Sequence, residues 1–183
     1  MNWYKKAQAD IVRQYQQMLQ QAASSIQIIG TGQNESISLP GAGKNITARE
    51  LLEHVKMRLA PVLVENHVNK IDTSPISKAD AQGLAQSDQP GTINVDVKKI
   101  FDLARGSLSS FSQLNGSQVN PDSLNAIVDQ VAYWIEGELI GTTSHESFHS
   151  HQYVDAFEQN QPFTSVQESP AEQFEQKIRN QYK

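Results

Sequence analysis

Residues 143–152, TSHESFHSHQ, contain three of the five histidines in the chain. His145 and His149 are four positions apart, and Glu146 follows the first of them. On an α-helix, residues four apart lie one above the other on the same face, so both imidazoles can bind one ion. Glu146 would lie one step around the helix, beside the ion. The spacing therefore predicts a helix that carries two ligands of a metal ion.

The alternative is a chance crowding of histidines on a solvated helix. The H-E-x-x-H pattern arises by chance in roughly one chain in a hundred of this composition, so the metal interpretation is favoured. The chemistry expected of the pattern involves zinc, which lowers the pKa of a bound water and polarises a carbonyl group. Glu146 would accept the proton of that water as general base.

A catalytic zinc site has three protein ligands and one open position, so a third ligand must come from elsewhere. One arrangement needs a glycine three residues after the second histidine and a third histidine six residues after it. Gln152 and Asp155 stand at those positions, so this arrangement is not expected. His151 falls on another helix face and is expected to be exposed or to contact substrate rather than to bind metal.

The other arrangement takes a glutamate from a following helix, and residues 166–178, VQESPAEQFEQKI, provide one. With this helix and residues 145–149, the chain resembles the gluzincin metallopeptidases of the thermolysin clan, and it is similar in size to the minigluzincins. The resemblance extends loosely to residues 91–97 and leaves out the first ninety residues. It implies a zincin-like α+β fold, with a small mixed sheet, an active-site helix and a following glutamate helix. It also implies Zn²⁺ and the hydrolysis of peptide bonds.

Two glutamates compete as the third ligand. Pro170 is expected near the first position of the last helix, which places Glu168 before the helix and Glu172 in its first turn. Glu172 is therefore favoured, because a helix holds a side chain more rigidly than a loop does. Glu168 is the alternative ligand, and Glu172 could instead only cap its helix.

The N-terminal half is predicted to mix helices and strands. Residues 3–22 have apolar side chains at helical spacing, and residues 25–45 suggest a hairpin or loop. Thr47 and Glu50 form a capping-box pattern for a helix that should stop at Pro61. Residues 61–76 suggest one or two strands, and residues 91–102 alternate as a strand would.

The C-terminal half is predicted to be helical. Asn120 and Pro121 begin a helix, Gly141 should interrupt it, and Thr143 should cap a new one. The last helix follows a polar loop. The order of elements predicts an α+β fold, with residues 1–24 as an N-terminal helix or arm and residues 25–183 as a single domain.

Composition excludes several classes of protein. The net charge of -5 and the lack of long basic runs argue against a nucleic-acid-binding surface. No apolar stretch approaches the roughly 20 residues of a membrane span, and the N-terminus lacks a signal-peptide core. The 183-residue chain has no cysteine, and a cytoplasmic location is the default expectation. The expected partner is a peptide or protein substrate, and the oligomeric state is left open.

The substrate is expected to lie extended along the strand at residues 91–97, with Asn94, His151 and Tyr153 as candidate contacts to substrate or transition state. The alternative function is a non-catalytic interaction module, either stabilised by zinc or free of metal. Its N-terminal helix would bind the partner.

Overall fold

The computed structural model describes residues 3–115, 120–159 and 168–182, with the side chains of residues 111–115 excepted. These residues form an α+β fold, as the sequence predicts. The described helices are α1 (Trp3–Ser25), α2 (Ala48–Arg58), α3 (Ala60–Glu65), α4 (Val97–Asn115), α5 (Pro121–Glu158) and α6 (Glu168–Gln181). The described strands are β1 (Gln27–Ile29), β2 (Ser36–Ser38), β3 (Asn45–Thr47), β4 (Lys70–Asp72), β5 (Gly83–Ala85) and β6 (Thr92–Val95).

Four of these strands form one mixed sheet in the order β1-β4-β6-β5. The first three run parallel, and β5 is antiparallel to β6. All four residues of β6 are buried because the strand is paired on both sides and covered by helices. The expectation that substrate pairs with residues 91–97 is therefore wrong. The two edge strands of the sheet are β1 and β5, and β5 is the one next to β6.

Strand β6 is also shorter than its alternating pattern suggests. The chain becomes helical at Val97, because the buried carboxylate of Asp96 accepts a hydrogen bond from the Lys99 backbone N–H at 3.0 Å. This is the geometry of a helix N-cap. Ile100, Phe101 and Ala104 then recur at helical spacing on the buried face of α4.

The connection from β4 to β5 is held by a lysine. The Lys99 ammonium group donates to the carbonyls of Ile76, Lys78 and Ala81 at 3.1, 2.6 and 2.8 Å. Asp96 also accepts the Ile76 backbone N–H at 2.8 Å. These contacts fasten the loop that leads into β5.

Helix α5 has 38 residues and runs through Gly141 without interruption. Asn120 caps it as predicted, accepting the Asp122 N–H at 3.0 Å. The predicted break and the second cap are wrong. Thr143 is fully buried within the helix, and its hydroxyl has no hydrogen-bond partner among the described residues.

Three predictions for residues 25–76 also need correction. Thr47 occupies the N-cap of α2, but its side chain makes no capping bond. Residues 61–76 contain one of the one or two predicted strands, β4, but the chain first continues as α3, because proline fits the first turn of a helix. The predicted hairpin at residues 25–45 is only half correct: β2 pairs with β3, whereas β1 pairs in parallel with β4.

Helix α1 is present as predicted and is almost entirely exposed. Ala23, near its end, is its buried residue, whereas Trp3 and Ile11 are 78% and 66% exposed. The core lies instead between the sheet and helices α2–α5, where Leu52, Phe101 and Ile135 are among the largest buried side chains. In the described part of the chain, no helix combines the length and the apolar character of a membrane span.

Candidate metal centre

The two histidines of α5 and the first residue of α6 bring three donor atoms together. His145 Nε2 lies 3.1 Å from His149 Nε2 and 3.2 Å from Glu168 Oε2. The third edge, from His149 Nε2 to Glu168 Oε2, is 3.4 Å. His149 is buried, whereas the Glu168 side chain is largely exposed, so the triangle opens on one side to solvent.

This triangle fits a tetrahedral metal ion. With ligand bonds of about 2.0–2.1 Å, two donors of a tetrahedral zinc site are about 3.3–3.4 Å apart. The observed edges of 3.1–3.4 Å match that spacing closely. Two imidazoles and one carboxylate leave a fourth position on the open side. His145, His149 and Glu168 therefore form a group that could hold a metal ion.

The structure brings Glu168, and not Glu172, to the histidines. Helix α6 includes Glu168, which the prediction placed just before the helix, and Glu172 is exposed. Pro170 is the third residue of the helix. A proline is tolerated there because the first four N–H groups of a helix have no partner within it.

A chain of polar contacts holds the His145 ring at Nδ1, on the opposite side from the donor triangle. Its Nδ1 lies 3.1 Å from Glu175 Oε2, and the other oxygen of Glu175 accepts Arg179 Nε at 2.7 Å. The hydrogen bond with Glu175 raises the pKa of His145, and the same bond lowers the pKa of Glu175. A carboxylate at Nδ1 favours the tautomer that leaves Nε2 free for a metal.

Arg179 is in turn fixed to α5. Its Nη1 donates to the Gly137 carbonyl at 2.8 Å and lies 3.4 Å from the Glu138 carboxylate. The guanidinium lies over Gly141, where a Cβ would be only 1.9–2.3 Å from its atoms. A glycine is thus required at this point for Arg179 to reach Glu175. The sequence analysis does not predict the roles of Glu175 and Arg179. One signal for Glu175 was available, because Glu168 and Glu175 are seven residues apart and so share a helix face.

Glu146 is placed beside the donor triangle and is 7% exposed. Its carboxylate accepts a hydrogen bond from the Ala85 backbone N–H of β5. It also packs against Gly83, where a Cβ would lie 2.5 Å from the Glu146 side chain. Burial is the main cause that raises the pKa of Glu146 to about 7, with Glu168 adding to the rise and His145 opposing it.

The predicted accessory residues have different positions. Tyr153 is half-buried and lines the cleft, and burial raises the pKa of its phenol. Asn94 does not reach the cleft, since its amide donates to the Asp72 carbonyl at 2.8 Å within the sheet. His151 lies outside the cleft lining and pairs with Asp155 at 3.2 Å. Neither Asn94 nor His151 is among the residues that line the cleft.

The donor triangle and Glu146 lie in a cleft of about 480 Å³. Strand β5 forms one wall, and its Gly83, Leu84 and Ala85 all line the cleft. Charged groups stand further along the cleft, at Lys78 and Asp80 on the side of the β4–β5 loop and at Glu138 and Arg179 on the side of the helices. The cleft can thus admit an extended chain that passes both the edge strand and the metal-binding group.

Comparison of the chain with models of protein families, with curated proteins and with solved structures finds no match.

Proposed function

We propose that the protein is a gluzincin-like zinc metallopeptidase that hydrolyses peptide bonds with Glu146 as general base. One observation supports this above all. Three donors with tetrahedral spacing, from His145, His149 and Glu168, stand beside a buried carboxylate at the open edge of a sheet. Metal sites that serve only structure are usually closed by four protein ligands, whereas the described residues supply three here.

Zinc is the ion that this donor set fits best, and when bound it would act as a Lewis acid and lower the pKa of a water molecule. The chain itself would supply the proton acceptor. Glu146 is a carboxylate beside the open position, within reach of a metal-bound water, and in the metal-free protein burial raises its pKa to about 7. It would take a proton from the attacking water and pass it to the leaving amine.

Glu146 is held for this role by β5. The Ala85 N–H fixes the carboxylate, and Gly83 leaves the space that the carboxylate fills. A side chain held by packing and by a backbone donor does not need to reorganise during proton transfer. Tyr153, further along the cleft wall, is the proposed contact to the oxyanion of the tetrahedral intermediate.

The substrate would pair with β5, and not with β6. The Asp96 N–H donates to the Gln82 carbonyl at 2.7 Å, so the backbone groups of Gln82 and, two residues on, of Leu84 point toward β6. In an antiparallel pair, the backbone groups of alternate residues point away from the partner strand, so those of Gly83 and Ala85 face the open edge. The Ala85 N–H already bonds Glu146 on that side. An extended peptide can add to this edge through backbone hydrogen bonds.

The second candidate is a non-catalytic interaction module. It is favoured by one observation, the apolar side chains exposed along α1. Such a module does not need a proton acceptor at the open edge of the sheet. The two candidates therefore differ in what Glu146 does.

The test compares wild-type protein with the Glu146→Gln variant. We expect about one zinc per chain in both by metal analysis, and hydrolysis of a quenched-fluorescence peptide library only in the wild type. Glu172→Gln is the matched control, because Glu172 is an exposed glutamate near the site. Equal turnover in wild type and Glu146→Gln would remove Glu146 as the base. Zinc without turnover in either protein would favour the interaction module.

A further inference from the structure

A second cavity, of about 240 Å³, lies beyond the far end of the cleft. It is bounded by α5, by the C-terminal end of α6 and by the end of α2. Its lining is mainly aromatic and aliphatic, from Tyr133, Trp134, Ile140 and Tyr182. Trp134 is 42% exposed and Tyr133 is 60% exposed, although each belongs to a helix that packs on the core.

The charged groups around this cavity already have partners. Arg58 donates to Glu136 at 2.6 Å and to the Tyr182 carbonyl at 3.0 Å, and its guanidinium lies 5.0 Å from the Tyr182 ring centroid. The Tyr182 hydroxyl donates to the Arg58 carbonyl at 2.6 Å. This network holds the cavity wall in place, and it leaves mainly aromatic and aliphatic surface for a ligand.

The cavity adjoins the cleft, because Glu138 and Arg179 line both. Arg179 is paired with Glu138 and with Glu175, so the boundary between the two cavities carries no unpaired cation. Trp134 precedes His145 by eleven residues on the same helix. At about 1.5 Å per residue this is about 16 Å, which an extended peptide spans with about five residues.

We propose that this pocket receives an aromatic or large aliphatic side chain of an extended peptide substrate, about five residues from the bond that is cleaved. The proposal rests on the proposed peptidase function, and it names a class of substrate for it. A substrate without such a side chain would be held by the edge strand and the metal-binding group alone. The pocket therefore selects among sequences that the backbone contacts of β5 would accept equally.

The test uses peptides that are anchored at the metal. Each peptide is rich in alanine and serine, carries a hydroxamate at one end and has a single phenylalanine one to eight residues from it. One series extends from the N-terminal side of the hydroxamate and the other from the C-terminal side. We expect one of the two series to bind zinc-loaded protein at least about tenfold more tightly when phenylalanine is about five residues away than when alanine replaces it.

Trp134 reports directly on the pocket. The chain has two tryptophans, so the Trp3→Phe variant leaves Trp134 as the single tryptophan, which is excited selectively at wavelengths that tyrosine does not absorb. The peptide with the favoured spacing should shift Trp134 emission, and its alanine counterpart should not. Trp134→Ala should abolish the preference for phenylalanine, whereas Phe157→Ala should keep it. Phe157 is the matched control because it is an exposed aromatic residue near the other end of α5.

Failure of this proposal can be distinguished from failure of the peptidase proposal. If peptides are hydrolysed but affinity and emission do not depend on the position of phenylalanine, the pocket has no role and the peptidase proposal stands. If the protein holds no zinc, N-acetylphenylalanine amide at millimolar concentration should still shift Trp134 emission in the Trp3→Phe variant. The absence of that shift would overturn the proposal that this pocket binds an aromatic side chain.

Discussion

Glu168 and Glu172 show how far one residue's position depends on the exact start of a helix. Both lie in or near the first turn of α6, but only Glu168 points its carboxylate at both Nε2 atoms. Pro170 indicates the first turn and does not select one position within it, since any of the first positions can lack an N–H donor. That ambiguity is why the two glutamates could not be ranked correctly from sequence.

Glu168→Ala should weaken zinc binding far more than Glu172→Ala. The loss of zinc affinity on removal of a ligand should exceed the roughly 10- to 100-fold loss that follows removal of a residue that only hydrogen-bonds to a ligand. Glu172→Ala should bind zinc as the wild type does, because Glu172 is exposed and belongs to no metal-binding group of the described residues. A competition titration against a chromophoric chelator measures both affinities. Equal losses in the two variants would contradict the observed donor triangle.

Glu146→Gln should stabilise the metal-free protein at pH 8 but not at pH 4. The pKa of Glu146 is about 7 in the folded state and 4.5 as its ordinary value. The folded state therefore binds more protons between these values, and the free energy of unfolding falls as pH rises through this window. Glutamine has no ionised form to bury. The gain at pH 8 should be of the order of 3 kcal/mol.

Thermal unfolding in the presence of a chelator at the two pH values measures this difference. A gain that is the same at pH 4 and pH 8 would show that the amide packs better, and would contradict the raised pKa. Glu172→Gln is again the control, and it should show no gain at either pH.

His145, Glu146 and His149 could be predicted from sequence because their relation is local. One turn of helix fixes it, whatever the rest of the fold does. Glu175 and Arg179 could not be assigned in the same way. Their roles depend on the packing of α6 against α5, and on the absence of a side chain at Gly141.

At the scale of elements, the pairing of α5 with α6 depends on Gly141. Gly141→Ala should place a methyl group where the Arg179 guanidinium lies, so Arg179 should move and leave Glu175 less well held. We expect zinc affinity to fall by about tenfold, as for the loss of an outer partner. The chemical shifts of the two His145 ring nitrogens in NMR spectra should also change, because Glu175 would no longer favour one tautomer.

Gly137→Ala is the matched control for that variant. It lies one turn earlier on the same helix, and a Cβ there meets nothing within 4 Å. It should keep the zinc affinity and gain helix stability of roughly 1 kcal/mol. Equal effects of the two substitutions on zinc binding would show that Arg179 does not act through Gly141.

Strand β5 is the element that sequence patterns could least reveal. It has three residues, Gly-Leu-Ala, which are too few to show an alternating pattern. Strand β6 was recognised because isoleucine and valine favour strands, but its neighbours depend on the order of the whole sheet. The location of the open edge is therefore a property of the tertiary structure.

Gly83→Ala should separate hydrolysis from metal binding. The new methyl group would lie 2.5 Å from the Glu146 side chain, so the carboxylate must move away from its place beside the donor triangle. The zinc content should stay at that of the wild type, whereas kcat should fall at least about tenfold. Gly43→Ala, at an open position, is the control and should leave both unchanged. Unchanged kcat in Gly83→Ala would mean that the position of Glu146 is not critical.

For the molecule as a whole, α1 contributes little to the folded domain. Its buried residue, Ala23, lies near the end of the helix. Deletion of residues 1–15 should therefore change the melting temperature by no more than about 2 °C and leave zinc affinity unchanged. Calorimetry of the two proteins measures this. A large loss of stability would show that the arm belongs to the core.

The general layout of the molecule could be predicted from sequence, whereas its connections could not. The α+β class follows from helical and alternating patterns that are visible in single segments. The sequence patterns mispredict two long helices. They divide α5 at Gly141, and they extend the strand β6 into α4, because the first residues of α4 continue the apolar pattern of the strand. In both cases a contact made elsewhere in the fold decides the outcome.

The Lys99 ammonium group occupies the place that a calcium ion takes in many loops, surrounded by three backbone carbonyls with an acidic side chain nearby. Since the cation is covalently part of the chain, these contacts need no dissolved ion. They should therefore survive chelators that would strip an ion from His145, His149 and Glu168. The peptide-binding edge would then stand ready before the metal arrives.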